Sequence, residues 1–143
     1  MGNYTIRVYA FLVNQYNEVL LLDEKYEAHR FTKLPGGGLE PNEGILDCIN
    51  RELEEELGLR DLKLKQFHTS EKFVESKIRS NAQVIAVYYW CKNINKSKVK
   101  IVEENGNILA LKWMPLSELQ TSDFTFDTDM EALGRFLKEI TAL

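Results

Sequence analysis

Residues 34–59 read LPGGGLEPNEGILDCINRELEEELGL, and this stretch decides how the chain folds. Three consecutive glycines after Pro35 are not expected in regular structure, and they predict tight turns with a close backbone approach. Apolar residues then recur at Leu46, Ile49, Leu53 and Leu57. Their steps of three, four and four residues predict an amphipathic helix. Gly58 follows where a C-terminal cap belongs, so a loop leads into a helix that ends there.

The residues before the glycines predict a β-hairpin. Between Tyr4 and Val13 the side chains alternate, which indicates a strand with one face in the core. The inward residues of that strand are Ile6, Val8, Ala10 and Leu12. Residues 14–17 are turn-forming and residues 18–23 form a short apolar strand, so the two strands pair through a tight turn. Residues 24–33 are a polar connection.

The residues after the helix predict more strands and a second helix. Residues 61–76 indicate a strand and a loop, residues 82–91 a central strand, and residues 108–114 another strand. A last helix is predicted to begin near Thr128, where Thr128 and Glu131 match a capping box. Its apolar stripe is Met130, Leu133, Leu137 and Ile140. The chain is therefore expected to form one α/β (α+β) domain over residues 1–143, a mixed sheet covered by helices.

Composition limits the class of protein. The net charge of −4 disfavours a non-specific nucleic-acid binder, although an acidic site can hold a polyphosphate through divalent cations. No apolar run is long enough to cross a membrane, and no secretory signal is expected at the N-terminus. Cys48 and Cys91 are too few for a disulfide framework, which predicts a reduced cytoplasmic setting with both thiols in buried packing.

The polar face of the first helix carries three glutamates. Glu52, Glu55 and Glu56 have the spacing i, i+3, i+4, so their carboxylates project from one side within a single turn. They repel each other and lie near the end of the helix where the macrodipole disfavours anions. These residues could supply hard oxygen ligands to magnesium, manganese or calcium. Taken alone, however, the segment favours an ordinary solvated helix face.

The wider spacing changes that interpretation. Counted from Gly37, five residues precede Glu43, and seven more precede Arg51-Glu52-Leu53-x-Glu55-Glu56-x-Gly58-Leu59. This pattern resembles the Nudix box, with every defined position matched over 23 residues. Residues 113–119, Trp-Met-Pro-Leu-Ser-Glu-Leu, are also similar to this family.

The resemblance implies an architecture and a ligand set. The architecture is an α/β/α sandwich in which a strand-loop-helix unit holds Mg²⁺ or Mn²⁺. The Gly36 carbonyl, Glu52 and Glu56 would be the principal ligands, and Glu55 would bind directly or through water. Arg51 would hold the rotamer of a carboxylate, either Glu43 or Glu52, with a planar fork that lysine lacks.

The resemblance also implies a reaction. Divalent ions would neutralise phosphate charge while an activated water molecule attacks phosphorus. Glu52 is the first choice for the general base, and a glutamate of a later loop is the alternative. Glu103 and Glu104 occupy that loop; Glu104 could complete the metal shell and Glu103 could contact substrate, but a solvent-exposed turn is an equal alternative.

The remaining candidates have ordinary structural explanations. Arg30 and Lys33 precede the glycines and could contact a terminal phosphate, but plain surface charge is the favoured interpretation. His29 and His68 lack metal-ligand spacing. The strand aromatics could form a base-stacking platform, although core packing is favoured. These aromatics are Tyr9, Phe11, Tyr88 and Trp90.

The substrate follows only by elimination. Markers of several Nudix subfamilies are absent, which leaves a MutT-like group that hydrolyses (d)NTPs as the first choice. Alternatives are hydrolysis of ADP-ribose or a nucleotide sugar, an isomerase of the isopentenyl diphosphate type, and a non-catalytic ligand sensor. The expected partner is a small nucleotide, with no stable nucleic-acid or membrane partner, and a homodimer is left open.

Overall fold

A computed structural model describes residues 3–141, and seven strands and two α-helices account for most of them. The strands are β1 (Asn3–Asn14), β2 (Glu18–Tyr26), β3 (His29–Lys33), β4 (Gly36–Gly38), β5 (Lys65–Thr69), β6 (Ala82–Ile94) and β7 (Ile108–Pro115). The helices are α1 (Ile45–Leu57) and α2 (Asp127–Thr141). Neither described helix is long and apolar enough to span a membrane. The mixed sheet with flanking helices confirms the predicted fold class.

Strand β1 lies at the centre of the sheet. It runs parallel to β6 along one edge, from the pair Asn3 and Ala82 to the pair Asn14 and Ile94. Its other edge pairs antiparallel with β4 and, near Val13, with β2. The path through the sheet is β3-β2-β1-β6-β5, with β7 attached to the far side of β2. The glycine strand β4 is therefore fixed directly against the central strand.

Two apolar cores cover the two faces of the sheet. One lies under α1 and includes Ile49, Leu53 and Leu57, while the other lies under α2 and includes Phe136. Residues 8–13 of β1 are buried on both faces, so the prediction of a single core face was wrong. The reason is that a helix covers each side of the central strand. The predicted burial of Cys48 and Cys91 is confirmed.

The glycine run and the polar stretch before it form strands that the sequence did not predict. Gly36 pairs with Tyr9 and Gly38 pairs with Arg7, because residues without a Cβ can approach β1 closely. A Cβ at Gly36 would lie 2.1 Å from a carbonyl oxygen of β1, and its φ of +141° is one that favours glycine. Residues 24–33 form a β2–β3 hairpin instead of a loop.

Both helices are rotated slightly from the predicted stripes. Leu46 is 48% exposed, and Cys48 faces the core of α1 in its place. In α2, Leu137 is 36% exposed whereas Phe136 is fully buried. The helix begins at Asp127, so Thr128 does not cap it. Glu131 does not close a capping box, because its carboxylate lies 2.8 Å from His68 Nε2 on β5.

Candidate metal and substrate site

Helix α1 brings two carboxylates against the glycine strand. Glu56 is buried, and its Oε1 accepts a hydrogen bond from the Gly36 amide at 3.1 Å. The side chain of Glu52 is 15% exposed and rests on Gly37, where an added Cβ would lie 2.5 Å from the carboxylate. Any side chain at position 37 would therefore displace Glu52. The glycines allow helical carboxylates to approach the backbone of the strand.

A buried lysine joins these carboxylates from β3. Lys33 Nζ lies 2.9 Å from Glu24 Oε2 and donates to the carbonyls of Leu34 at 3.1 Å and Gly36 at 3.3 Å. The interpretation of Lys33 as surface charge was wrong, since only 6% of its side chain is exposed. The cause is the alternation of β3, which turns Phe31 and Lys33 inward together.

Burial shifts the pKa values of this cluster. Desolvation raises the pKa of Glu56 to about 8, although the charge of Lys33 opposes the rise. Burial also raises the pKa of Glu52, against the opposing effect of Arg51. For Lys33, burial acts to lower the pKa, but Glu24 and Glu56 outweigh it and the pKa is raised overall. Glu52 and Glu56 therefore keep their protons to a higher pH than an ordinary glutamate does, because the nearby positive charge does not offset their burial.

Arg51 contacts the same helix face from the solvent side. Its Nε donates to Glu43 Oε2 at 2.9 Å and one terminal nitrogen donates to Glu43 Oε1 at 2.7 Å, forming a bidentate fork. The other terminal nitrogen reaches Glu52 at 3.0 Å and Glu55 at 3.3 Å. The two pairings that the sequence offered as alternatives therefore coexist. The hydrogen bonds of Arg51, with help from the Glu40 amide, lower the pKa of Glu43 to about 2.

The donor set fits a hard divalent cation. Glu52, Glu56 and the Gly36 carbonyl offer oxygen atoms, and the two carboxylates have pKa values raised by burial. Across residues 3–141, no three His, Cys, Asp or Glu side chains converge as a closed metal cage. Mg²⁺ is usually held by one or two carboxylates together with substrate phosphates, and it rarely needs such a cage. An open set of this kind suits an ion shared between protein and substrate.

The other predicted site residues lie further from this cluster. Glu55 is exposed and touches it only through Arg51. The loop of Glu103 and Glu104 reaches the end of α1, where the Val102 amide donates to the Glu56 carbonyl at 3.0 Å. Within the described chain, neither of those two carboxylates bonds to another predicted ligand. Arg30 is exposed on the face of β3 opposite to Lys33.

A cavity of about 330 Å³ lies beside this cluster and has Glu24 and Lys33 in its lining. It is lined by Arg7 and Tyr9 of β1, by Phe31 and Lys33 of β3, and by Phe126, whose ring contacts that of Phe31. Glu24 also lines it and is connected through Lys33 to the Gly36 carbonyl. Arg7 and Glu24 were not among the site residues predicted from the sequence. One signal was available, since Arg7 is the only charged residue between Tyr4 and Val13.

A buried polar pair under α2 was also missed. The Tyr88 hydroxyl donates to Asp129 Oδ1 at 2.6 Å, and both side chains are buried. Burial raises the pKa of Asp129 to about 6, while the hydrogen bond from Tyr88 opposes the rise. Asp129 lies on the buried side of α2, and the predicted apolar stripe gave no reason to look for a carboxylate there.

A family model described as the NUDIX domain matches residues 3–135. The chain belongs to the Nudix family. Nudix hydrolase 8 of Arabidopsis thaliana is 31% identical over 125 residues, which are 82% of this chain and 31% of that protein. The chain spans 31% to 41% of the length of the curated relatives that it matches.

Solved structures of other proteins share the fold. A MutT Nudix hydrolase from Burkholderia pseudomallei has a TM-score of 0.74 at 22% identity, covering 93% of this chain and 98% of that one. The dihydroneopterin triphosphate pyrophosphohydrolase of E. coli has a TM-score of 0.75 at 17% identity, covering 96% and 99%. The cluster formed by Glu52, Glu56 and β4 thus lies in a Nudix fold.

Proposed function

We propose that this Nudix domain is a divalent-metal-dependent hydrolase of phosphoanhydride bonds in nucleoside diphosphate derivatives. The observation that carries the proposal is the pair of carboxylates, Glu52 and Glu56, held against β4 beside a cavity that contains Arg7 and Lys33. Within the family, a MutT-like pyrophosphohydrolase of (d)NTPs is the proposed type. Mg²⁺ or Mn²⁺ is the proposed cofactor.

Each residue of the cluster has a proposed role. Glu52, Glu56 and the Gly36 carbonyl would hold the cation, and Glu55 would assist from the exposed side. A bound divalent ion supplies charge neutralisation at phosphate and lowers the pKa of water. Glu52 would take the proton, since burial raises its pKa and a base works best near the pH of the reaction. Arg51 would position Glu52, because the fork on Glu43 fixes its guanidinium.

The cavity supports a substrate with one nucleoside. Its volume of about 330 Å³ is near the lower end of the roughly 300–1,000 Å³ found for small-molecule sites. Four aromatic side chains line it, Tyr9, Tyr26, Phe31 and Phe126, and the rings of Phe31 and Phe126 lie side by side with centroids 5.0 Å apart. One flat base can pack against this pair. A mononucleoside triphosphate is therefore favoured over a dinucleoside polyphosphate.

A release assay with a matched variant tests the proposal. Pyrophosphate and phosphate are measured with Mg²⁺ and with Mn²⁺ across dNTPs, 8-oxo-dGTP, ADP-ribose, nucleotide sugars and dinucleoside polyphosphates. Replacing Glu52→Gln should lower kcat by about 10²- to 10⁴-fold, the usual contribution of a general base. Glu54→Gln is the control, because Glu54 is on the same helix but faces solvent and pairs with Arg60.

The outcomes separate the parts of the proposal. Pyrophosphate from a triphosphate supports the MutT-like assignment. Turnover of ADP-ribose or a nucleotide sugar alone would overturn the substrate and leave the hydrolase in place. Unchanged hydrolysis by Glu52→Gln would overturn the role of Glu52. Nucleotide binding without any turnover would overturn the enzyme and favour the ligand sensor.

A further inference from the structure

Arg7 is held inside the cavity by neighbours that leave most of its donors free. Its Nε donates to the Tyr9 hydroxyl at 2.9 Å, and its guanidinium carbon lies 5.8 Å from the centre of the Tyr9 ring. Within residues 3–141, its two terminal nitrogens make no hydrogen bond or ion pair. A half-buried guanidinium with free N–H groups indicates a binding site for an acceptor from outside the chain.

Lys33 does not compete for that role. It is the other inner cation of the cavity, and its ammonium also lies over the Tyr9 ring, 5.3 Å from the centre. Its ammonium forms an ion pair with Glu24 and donates to two backbone carbonyls, so its charge is already engaged within the chain. Of the two cations that the strands place in the cavity, Arg7 is therefore the one with free N–H groups, whereas Lys77 and Arg79 line it from the exposed loop before β6. A planar guanidinium can bind two oxygens of one phosphate, which an ammonium cannot match in geometry.

The glycine strand separates Arg7 from the carboxylates of α1. Gly38 faces Arg7, since an added Cβ would lie 3.3 Å from a terminal nitrogen of Arg7. Gly37 faces Glu52 instead. A polyphosphate held at Glu52 and Glu56 would thus reach Arg7 only with the phosphate nearest to the cavity.

Phe31 and Phe126 form an aromatic wall of the cavity, which offers a flat apolar surface to a base. Phe126 is held beside Phe31 because Thr125 and Thr32 bond to each other through two hydrogen bonds, at 2.8 and 3.0 Å. Lys77 Nζ donates to the Thr125 carbonyl at 2.8 Å and ties the neighbouring loop to the same segment. The aromatic wall and Arg7 line one cavity, so a ring packed against Phe31 and Phe126 keeps its nearest phosphate close to β1.

We propose that Arg7 is a specificity-determining residue that binds the phosphate attached to the nucleoside, while the base packs against Phe31 and Phe126. This inference rests on the proposed function, because it takes the substrate to be a nucleotide. The outer phosphates would lie at the divalent cation that Glu52 and Glu56 are proposed to hold. Arg7 thereby selects nucleotides over nucleosides and over uncharged phosphate-free analogues.

Metal-free binding separates this role from catalysis. In EDTA, calorimetry measures the dissociation constants of AMP, GMP, CMP and UMP and of the corresponding nucleosides. For the preferred base, the monophosphate should bind about 10- to 100-fold more tightly than the nucleoside, as expected for a hydrogen bond to a charged group. Arg7→Met should bring that ratio close to one, and Arg7→Lys should give an intermediate ratio. Arg30→Met, which replaces an exposed arginine on β3, should leave the ratio unchanged.

A purely structural role for Arg7 predicts a different pattern. It would weaken nucleoside and monophosphate equally, and an unchanged ratio in Arg7→Met would overturn the inference. Equal binding of nucleoside and monophosphate to the parent protein would also overturn it. Thermal unfolding of each variant shows whether the fold is retained, and Arg7→Lys serves if Arg7→Met does not fold.

Turnover distinguishes this inference from the proposed function. With metal present, Arg7→Met should raise KM about 10-fold or more with a much smaller change in kcat. An unchanged KM with normal hydrolysis would overturn the role of Arg7 and leave the hydrolase intact. A parent protein that discriminates monophosphate from nucleoside but hydrolyses nothing would overturn the proposed function and leave the role of Arg7 intact.

Discussion

The two basic residues that contact the carboxylate cluster do so from opposite environments. Arg51 lies on the solvent side of α1 with 22% of its side chain exposed, whereas Lys33 lies on the buried side with 6% exposed. Arg51 contacts four carboxylates, those of Glu40, Glu43, Glu52 and Glu55. Lys33 has one carboxylate partner, Glu24, and two carbonyl partners.

The difference teaches what each cation does for the site. Arg51 is only partly buried and shares its charge among four carboxylates, two of which are exposed. Water can therefore replace part of its contacts, and they add less to stability than a buried pair. Water cannot easily reach Lys33, so the loss of its charge would leave a buried carboxylate without a partner. Lys33 therefore stabilises the folded cluster, while Arg51 sets the orientation of Glu52.

The largest expected effect is that of removing the buried cation. Lys33→Met should lower the free energy of unfolding by about 3–5 kcal/mol, because Glu24 would remain buried and unpaired. Urea unfolding measures this change. Adding Glu24→Gln to that variant should restore part of the stability, since it removes the unpaired charge.

Arg30→Met provides the matched control on the same strand. Arg30 is exposed, so its replacement should change the free energy of unfolding by less than about 0.5 kcal/mol. If Lys33→Met unfolds at the same urea concentration as the parent protein, the buried pair is not a source of stability.

An intermediate effect is expected from pH, through Glu56. Its pKa of about 8 in the folded protein lies above the ordinary 4.5. Between these values the unfolded chain releases the proton and the folded protein keeps it, so the free energy of unfolding falls as pH rises. Glu56→Gln cannot lose stability in this way. From about pH 6 to pH 8, the variant should therefore gain about 2–3 kcal/mol relative to the parent protein.

Urea unfolding in EDTA across that pH range measures the effect. Glutamine keeps an acceptor for the Gly36 amide, so the variant changes ionisation more than geometry. Parallel pH profiles for the two proteins would show that Glu56 ionises at an ordinary pH in the folded protein.

Among the residues of the site, the smallest expected effect on stability is that of changing the partly exposed cation, Arg51. Arg51→Lys keeps the charge but loses the fork on Glu43, so kcat/KM should fall about 10- to 100-fold, as for other residues that orient metal ligands. The free energy of unfolding should change by less than about 1 kcal/mol. Arg60→Lys, on an exposed pair with Glu54, is the control for kinetics and unfolding. If the loss in the free energy of unfolding exceeds the loss in kcat/KM expressed as a free energy, Arg51 acts mainly in stability and not in orienting Glu52.

The same contrast shows what the sequence could predict. The contacts of Arg51 with Glu52 and Glu55 are local, so helical spacing alone was sufficient to expect them. The spacing over residues 37–59 also indicated the fold class and the family. The burial of Lys33 depends on the hairpin of β2 and β3, and the polar composition of residues 24–33 concealed that hairpin.

Other differences have similar physical causes. The glycines form β4 because they pair with an edge of β1. This pairing is between distant segments, so no local sequence pattern predicts it. Which face of α1 and α2 is buried depends on what packs against it. Cys48 and Phe136 are therefore buried, whereas the predicted core residues Leu46 and Leu137 are exposed. Arg7 reaches the site only because β4 pairs beside it, and the sequence places these two segments far apart.

The parallel pairing of β1 with β6 has a consequence for how the chain acquires its structure. Asn3 must find Ala82, and the pairing runs on to Ile94, so the centre of the sheet closes a very long loop. During synthesis, before β6 has left the ribosome, the central strand β1 has one unpaired edge and two apolar faces. Folding should therefore be slow relative to helical proteins of this size, and the interval before β6 emerges is the period of greatest exposure to aggregation.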